Sequence, residues 1–226
     1  PNLPGWDAVN LKRELEDVLG MPVWIENDAN MVAYGEWKFG AGRGVSSLIC
    51  LTLGTGIGSG LILDGRLYTG AHGFAGELGH TVLDPDGPRC GCGAHGCLET
   101  LAGAEAIVLD AKRRMRRGGR EKGVLTAEKI SSAARRGDRA AVDVLSRAGQ
   151  WVGLAVANVV ALLDLEAVVV GGGISRAGEL ILAPLREAVS STLIDFDLRN
   201  LKIVASELGD DAGILGLSSY SAIRKP

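Results

Sequence analysis

The 226-residue chain lacks several things. No apolar run reads as long enough to cross a bilayer, and no segment shows the basic, apolar and small-residue succession of a secretory leader. There is no internal repeat and no low-complexity tract. A surplus of positive charge is missing too: 24 Lys and Arg stand against 27 Asp and Glu, whereas nucleic-acid-binding domains are usually basic. The expectation is a cytoplasmic protein with no membrane partner and no nucleic acid bound by this segment. One local exception, Lys112-Arg113-Arg114-Met115-Arg116-Arg117, reads as a solvated helix end, where cations suit the helix dipole. The chain opens on Pro1 and not on methionine, so a longer protein is expected.

Cysteine is also scarce, with four in all. Cys50 lies in the apolar run Leu48-Ile49-Cys50-Leu51 and is expected to be a buried core thiol. Cys90, Cys92 and Cys97 cluster downstream of His80. In a reducing compartment such spacing reads as a metal site and not as disulfides. Three thiolates and one imidazole make a closed four-ligand set for zinc, with no position left for catalysis. The ion is therefore expected to be structural and to fix residues 81–98, which have few apolar side chains. Gly91, Gly93 and Gly96 are expected to let so short a loop wrap it. His95 is expected to be an exposed loop side chain. Glu77 and Glu99 bracket the set, which suggests that the metal builds a site.

What is plentiful is glycine, at 33 residues, within a chain that is 46 % hydrophobic. The apolar spacing predicts helices over 7–19 (capped by Asp7), 29–39, 100–117, a short one after Thr126, 138–163, 178–193 and 213–223. Strands are predicted over 22–26, 46–53, 61–63, 66–68, 165–170 and 201–205, with Asp64-Gly65 as a hairpin turn. Strands alternating with helices imply an α/β sheet covered by helices.

Three further segments carry chemistry. Glu26-Asn27-Asp28 ends a predicted strand, where open α/β sheets bind ligands; it reads either as a polyol and proton-acceptor site or as a helix N-cap. Gly54-Thr55-Gly56-Ile57-Gly58-Ser59-Gly60 is read as a turn whose amides suit phosphate, or as a plain hairpin. It joins strand to strand and lacks G-x-G-x-x-G spacing, which argues against a dinucleotide site. Gly171-Gly172-Gly173 follows a buried strand and reads either as a place where a ring or phosphate approaches the backbone or as a crowded strand-to-helix turn.

These pieces in this order resemble the ROK family of repressors, open reading frames and sugar kinases. Leu53–Leu61 is similar to its second phosphate motif, Gly73–His80 with Cys90–Glu99 to its zinc and sugar signature, Val170–Ile174 to its adenosine motif, and Glu26–Asn30 to its catalytic strand end. The resemblance implies an actin-like ATPase (ribonuclease H-like) fold, mostly the C-terminal large domain. Residues 1–30 would be a remnant of the small domain and hinge. Residues 31–208 would be the large α/β domain with its zinc loop at 80–97, and 209–226 a closing helix packed at the hinge or small domain. It implies ATP with Mg²⁺ as co-substrate and a hexose, most simply glucose, phosphorylated at its 6-hydroxyl. Asp28 would be the base, and Asn27, Asp28, Glu77, His80 and Glu99 the sugar ligands. Nucleotide would lie against Gly54, Thr55, Gly56, Gly58, Gly171, Gly172 and Gly173. His80 would serve zinc through one ring nitrogen and sugar through the other. The family's opening Asp-x-Gly-Gly-Thr loop is not in this sequence, so the chain alone is expected to be inactive. The resemblance also implies a homodimer. It leaves the sugar-binding part of a repressor as the alternative.

Overall fold

The computed structural model describes residues 9–115 and 124–223. Helices α1 (Leu11–Leu19) and α2 (Asp28–Phe39) precede strands β1 (Leu48–Leu53), β2 (Ile57–Leu63) and β3 (Arg66–Tyr68). Helices α3 (Leu98–Ala102), α4 (Ala104–Met115), α5 (Ala127–Arg135) and α6 (Arg139–Leu163) follow. The chain continues through β4 (Ala167–Gly171), α7 (Glu179–Thr192), α8 (Phe196–Arg199), β5 (Lys202–Ala205) and α9 (Ala212–Ile223).

The strands form one mixed sheet in the order β3-β2-β1-β4-β5. β1 runs antiparallel to β2 and parallel to β4, and β4 runs parallel to β5. Side chains alternate across a strand, and here both faces are covered. Ile49, Leu51, Leu53, Val168 and Val170 join the core under α6 and α7. Leu48, Cys50, Ile62, Ala167 and Val169 join the opposite core with Met31, Ala33 and Tyr34 of α2 and Tyr220 of α9. Central strands buried on both sides explain runs that are apolar throughout and not alternating.

Local signals fix most helix ends. Thr126 and Asp138 cap α5 and α6 through side-chain bonds to the amides of Lys129 and Ala141. Such caps satisfy amides that a helix start leaves unpaired. The predicted helix over 100–117 is split, because Gly103 breaks it between α3 and α4. Arg116 and Arg117 of the basic run lie outside the described residues, while Lys112, Arg113 and Arg114 sit in the last turn of α4.

Three expectations are corrected. The first helix starts at Leu11, with Asn10 as its cap; Asp7 lies outside the described residues. Its apolar residues find no core, and α1 has no buried residue. Residues 22–26 are extended but form no strand, since no described strand pairs with them. Finally, α6 is long and apolar enough by length and composition to cross a membrane. It packs instead against α7, α5, α3 and α4 in the core on one face of the sheet, with Val152, Val156 and Val160 fully buried. Its charges fall at Arg139, Asp143 and Arg147, which leaves the later turns uncharged.

Candidate active site and zinc site

The site is organised around the first half of β2. Its outward alternation sends Gly58 and Gly60 to the α2 face and Ile57 and Ser59 to the other. Without side chains at Gly58 and Gly60, the start of α2 lies directly on the strand. A Cβ at Gly60 would fall 2.8 Å from Ala29 O and 3.0 Å from Asn30 Cα, and one at Gly58 3.1 Å from Ala29 Cβ. This contact sets Asn27 and Asp28, the residues just before Ala29, at the edge of the sheet.

Asn27 caps α2: its Oδ1 accepts from Asn30 N at 3.1 Å. Asp28 Oδ1 accepts from Ala29 N at 2.8 Å. The N-cap reading is therefore correct for Asn27, and it does not remove the ligand reading. Both side chains remain exposed, and the cap fixes their direction. Behind them, Glu26 Oε1 accepts from Asn27 N at 3.0 Å and from Asn30 Nδ2 at 3.1 Å. Asn30 is buried, and its Oδ1 is the one buried side-chain oxygen or nitrogen without a partner among the described residues. The sequence marks the Glu26–Asn30 segment as a site but not the Glu26–Asn30 hydrogen bond within it, whose only signal is the pair of polar residues flanking Asn27-Asp28.

On the other face of β2, Ser59 Oγ donates to Gly76 O. Glu77 then precedes a single 3-10 turn, Leu78–His80, closed by His80 N to Glu77 O at 3.0 Å. Glu77 and His80 are exposed, while Leu78 and Gly79 between them are buried against β2. Glu99 stands in the first turn of α3, and its Oε2 accepts from Ile57 N at 3.0 Å. One short stretch, residues 57–60, thus positions Asn27 and Asp28 from one side and Glu77, His80 and Glu99 from the other.

The glycine turn is shorter than expected. Only residues 54–56 turn, closed by Gly54 N to Gly56 O at 2.9 Å. Gly58 belongs to β2 and pairs with Thr52, so it lies outside the turn. Thr55 is exposed at the tip and lines a cavity of about 220 Å³ with Glu99, Arg89, Gly91 and Glu105. The second glycine segment comes alongside because β1 and β4 are parallel, with Thr52 opposite Gly171. Gly172 has φ +87°, and a Cβ there would collide with the Leu53 backbone. Gly172 and Gly173 are exposed. Two glycine turns therefore lie side by side at the carboxyl ends of neighbouring parallel strands, where α/β sheets bind ligands.

His80, Cys90, Cys92 and Cys97 offer ligand atoms that all lie within 4.8 Å of one another. Cys92 Sγ is 3.6 Å from Cys97 Sγ, and Cys90 Sγ is 3.5 Å from His80 Nδ1. A tetrahedral zinc ion with Zn–S of about 2.3 Å and Zn–N of about 2.0 Å requires S···S edges of roughly 3.8 Å and S···N edges of roughly 3.5 Å. The cluster fits zinc. Nδ1 of His80 faces the sulfurs, which leaves Nε2 for another partner. His95 is exposed, its Nδ1 beside Gly87 O at 3.3 Å, and takes no part.

The loop is a small hairpin, with Cys90 N to Ala94 O at 2.8 Å and Gly96 N to Pro88 O at 2.8 Å. Gly96 is required: φ is +64°, and a Cβ would run into Asp84 O. Gly91 is not, having neither a positive φ nor a close neighbour. Burial pushes the Cys97 thiol up to about 12, with the sulfurs of Cys92 and Cys90 adding to the effect. Exposed Cys92 is lowered, mainly by a backbone hydrogen bond from Ala94 and then by the other two thiols. Cys50 is fully buried, and burial, then the Glu36 carboxylate, hold its thiol protonated.

The ROK family model matches residues 1–222. The chain belongs to the ROK family. Among the curated ROK relatives, the glucokinase of Thermotoga maritima is 43 % identical over 232 residues, covering 97 % of this chain and 72 % of the relative. The xylose repressor of Caldicellulosiruptor bescii is 37 % identical, covering 96 % of this chain and 56 % of the repressor. The solved ROK glucokinase from Streptomyces griseus, in complex with glucose and AMPPNP, superposes with a TM-score of 0.84 at 40 % identity. That match covers 93 % of this chain and 71 % of the other. The mixed five-stranded sheet is thus the actin-like ATPase fold of ROK kinases.

Proposed function

We propose that this ROK chain belongs to an ATP-dependent hexose kinase acting on a sugar 6-hydroxyl, with glucose the first substrate to try. The observation that carries the reading is the convergence on β2: Asn27 and Asp28 from one face, Glu77, His80 and Glu99 from the other, with two glycine turns beside them. Four of these five side chains are exposed and all five are hydrogen-bonding groups suited to a polyol. The likeness to a glucokinase that holds glucose and AMPPNP supports it.

In this reading the Asp28 carboxylate accepts the proton of the 6-hydroxyl. The sugar oxygen bonds to the γ-phosphorus, the bond from that phosphorus to the bridging oxygen breaks, and ADP leaves. Such a transfer needs positioning and charge stabilisation more than covalent help. The helix cap at Asn27 holds the base in place. Asn27, Glu77, His80 and Glu99 take the remaining hydroxyls. Exposed Thr55 and the Gly171–Gly173 turn lie against phosphate and adenosine, with Mg²⁺ arriving on the nucleotide. His80, Cys90, Cys92 and Cys97 would hold zinc. The zinc would supply no step; it would fix the His80 ring so that Nε2 meets the sugar.

A repressor reading has one observation in its favour, the 37 % identity to a xylose repressor over 96 % of this chain. A transcriptional sensor needs no base, so Asp28 separates the two. The deciding experiment is a coupled assay for ADP on the full-length protein across glucose, fructose, mannose and N-acetylhexosamines. ADP release that requires a hexose is expected. Sugar binding without ADP release from any of them would favour the repressor. A homodimer is the assembly we propose, to be read from its mass in solution.

A further inference from the structure

Glu36 is fully buried, in the third turn of α2. A buried carboxylate is costly unless its oxygens are satisfied. Here every donor lies outside α2. Oε1 accepts from Ser206 Oγ at 2.5 Å and Leu208 N at 2.9 Å; Oε2 accepts from Ala41 N at 2.9 Å and Glu207 N at 3.3 Å. Three of those donors belong to the turn that leaves β5, some 170 residues away in sequence.

That turn is built onto the glycine segment after β4. Ser206 N donates to Val170 O at 2.9 Å, and a Cβ on Gly171 would lie 3.2 Å from Ser206 Cβ. Farther on, Arg176 pairs with Asp210 at 2.7 Å, joining the residues after Gly173 to the same turn. Ser206 Oγ also accepts from Gly209 N at 3.0 Å, so the hydroxyl is locked between Glu36 and the backbone. At its other end α2 carries Asp28. One rigid helix therefore holds the base at its first residue and, two turns on, the strut that fixes the glycine segment.

We infer that Glu36 is a positioning residue: it moors the Gly171–Gly173 turn to the helix that carries Asp28, and so sets the nucleotide relative to the base. This rests on the kinase reading for its meaning, but it is measured by nucleotide affinity alone. Gly171–Gly173 approach Glu36 only through the turn at 206–208. Loss of the strut should therefore act on the nucleotide and spare the sugar.

The test uses the full-length protein with Glu36→Gln and Ser206→Ala. The glutamine keeps the shape but sets an NH₂ against backbone N–H groups. Ser206→Ala removes one donor at a half-buried position and keeps the variant set readable if Glu36→Gln does not fold. AMPPNP and glucose affinities are titrated separately, and KM for ATP is compared with kcat. Remote positions of this kind shift an affinity roughly 2- to 30-fold. The expected result is AMPPNP affinity and KM for ATP weakened by about 3- to 10-fold in Glu36→Gln and less in Ser206→Ala, with glucose affinity within twofold of wild type. Unchanged AMPPNP affinity in folded variants, or equal losses for AMPPNP and glucose, overturns the inference. A wild-type protein that binds AMPPNP but turns over no hexose overturns the kinase reading and leaves the AMPPNP comparison to decide on Glu36.

Discussion

Glu99 Oε2 accepts a hydrogen bond from the Ile57 amide at 3.0 Å. The bond joins the helix that follows Cys97 to the strand that follows the first glycine turn. It also explains Gly56: a Cβ there would fall inside contact distance of that same carboxylate oxygen. The proposed sugar ligand Glu99 and the glycine turn at 54–56 are thus held by one contact.

Gly56→Ala should expose this link. The obstructed atom is the end of a flexible side chain and φ at Gly56 is not positive, so Glu99 can swing away without unfolding the sheet. Stability should change by less than about 1 kcal/mol. Glucose affinity should fall roughly tenfold, about 1.4 kcal/mol. Calorimetric titration with glucose beside a thermal melt reads both. Native glucose affinity in the variant would remove Glu99 as a sugar ligand.

Asp28→Asn tests the base. The amide oxygen retains the bond from Ala29 N, seen at 2.8 Å for Asp28 Oδ1, so the helix start should persist. Turnover should drop by about 10²–10⁴-fold, the range for losing a positioned proton acceptor. Glucose affinity should stay within about threefold. A variant with normal kcat would take Asp28 out of the reaction.

The chain announced its His-Cys cluster more clearly than its fold. His80, Cys90, Cys92 and Cys97 are chemically distinctive at short spacing, so two residue types were enough to find them. The glycine turn was harder. A glycine in a tight turn and a glycine against a packed helix look alike in sequence, and Gly58 proved to be the second kind because Ala29 lies on it. The strand expected at 22–26 failed for a different reason: a strand needs a neighbour, and no local pattern supplies one. Glu36 was invisible, since a buried glutamate on a helix reads like an exposed one until its three distant donors are seen.

Zinc binding should strengthen as pH rises. Each sulfur must lose its proton to ligate, and without metal the Cys97 thiol is pushed up to about 12 by burial and its neighbouring sulfurs. It therefore enters the site protonated throughout the neutral range, and lower pH favours the proton over the ion. Chelator competition between pH 6 and 8 should show rising affinity; a flat profile would argue against thiolate ligation. Cys92→Ala should lose bound zinc and glucose affinity together. Glucose affinity that survives without zinc would break the link through His80.

A pair of glycines on α9 separates packing from propensity. Gly216 crosses α2 where a Cβ would fall well inside 3.0 Å of Met31 O, a backbone atom that cannot step aside. Gly213, one turn earlier, would meet only Val32 Cγ2 at 3.6 Å, an ordinary contact. Alanine favours a helix over glycine by about 1 kcal/mol, so Gly213→Ala should leave stability unchanged or slightly higher. Gly216→Ala has the same gain in propensity, but it must force α9 off α2, and overpacking of this kind costs about 1–3 kcal/mol or more. For a chain of this size each kcal/mol moves the midpoint by about 2–4 °C. The melting temperature of Gly216→Ala should therefore fall by several degrees, and because α2 carries Asp28 its kcat should fall as well. If both variants melt alike, the close crossing of α2 and α9 does not set the stability of this face.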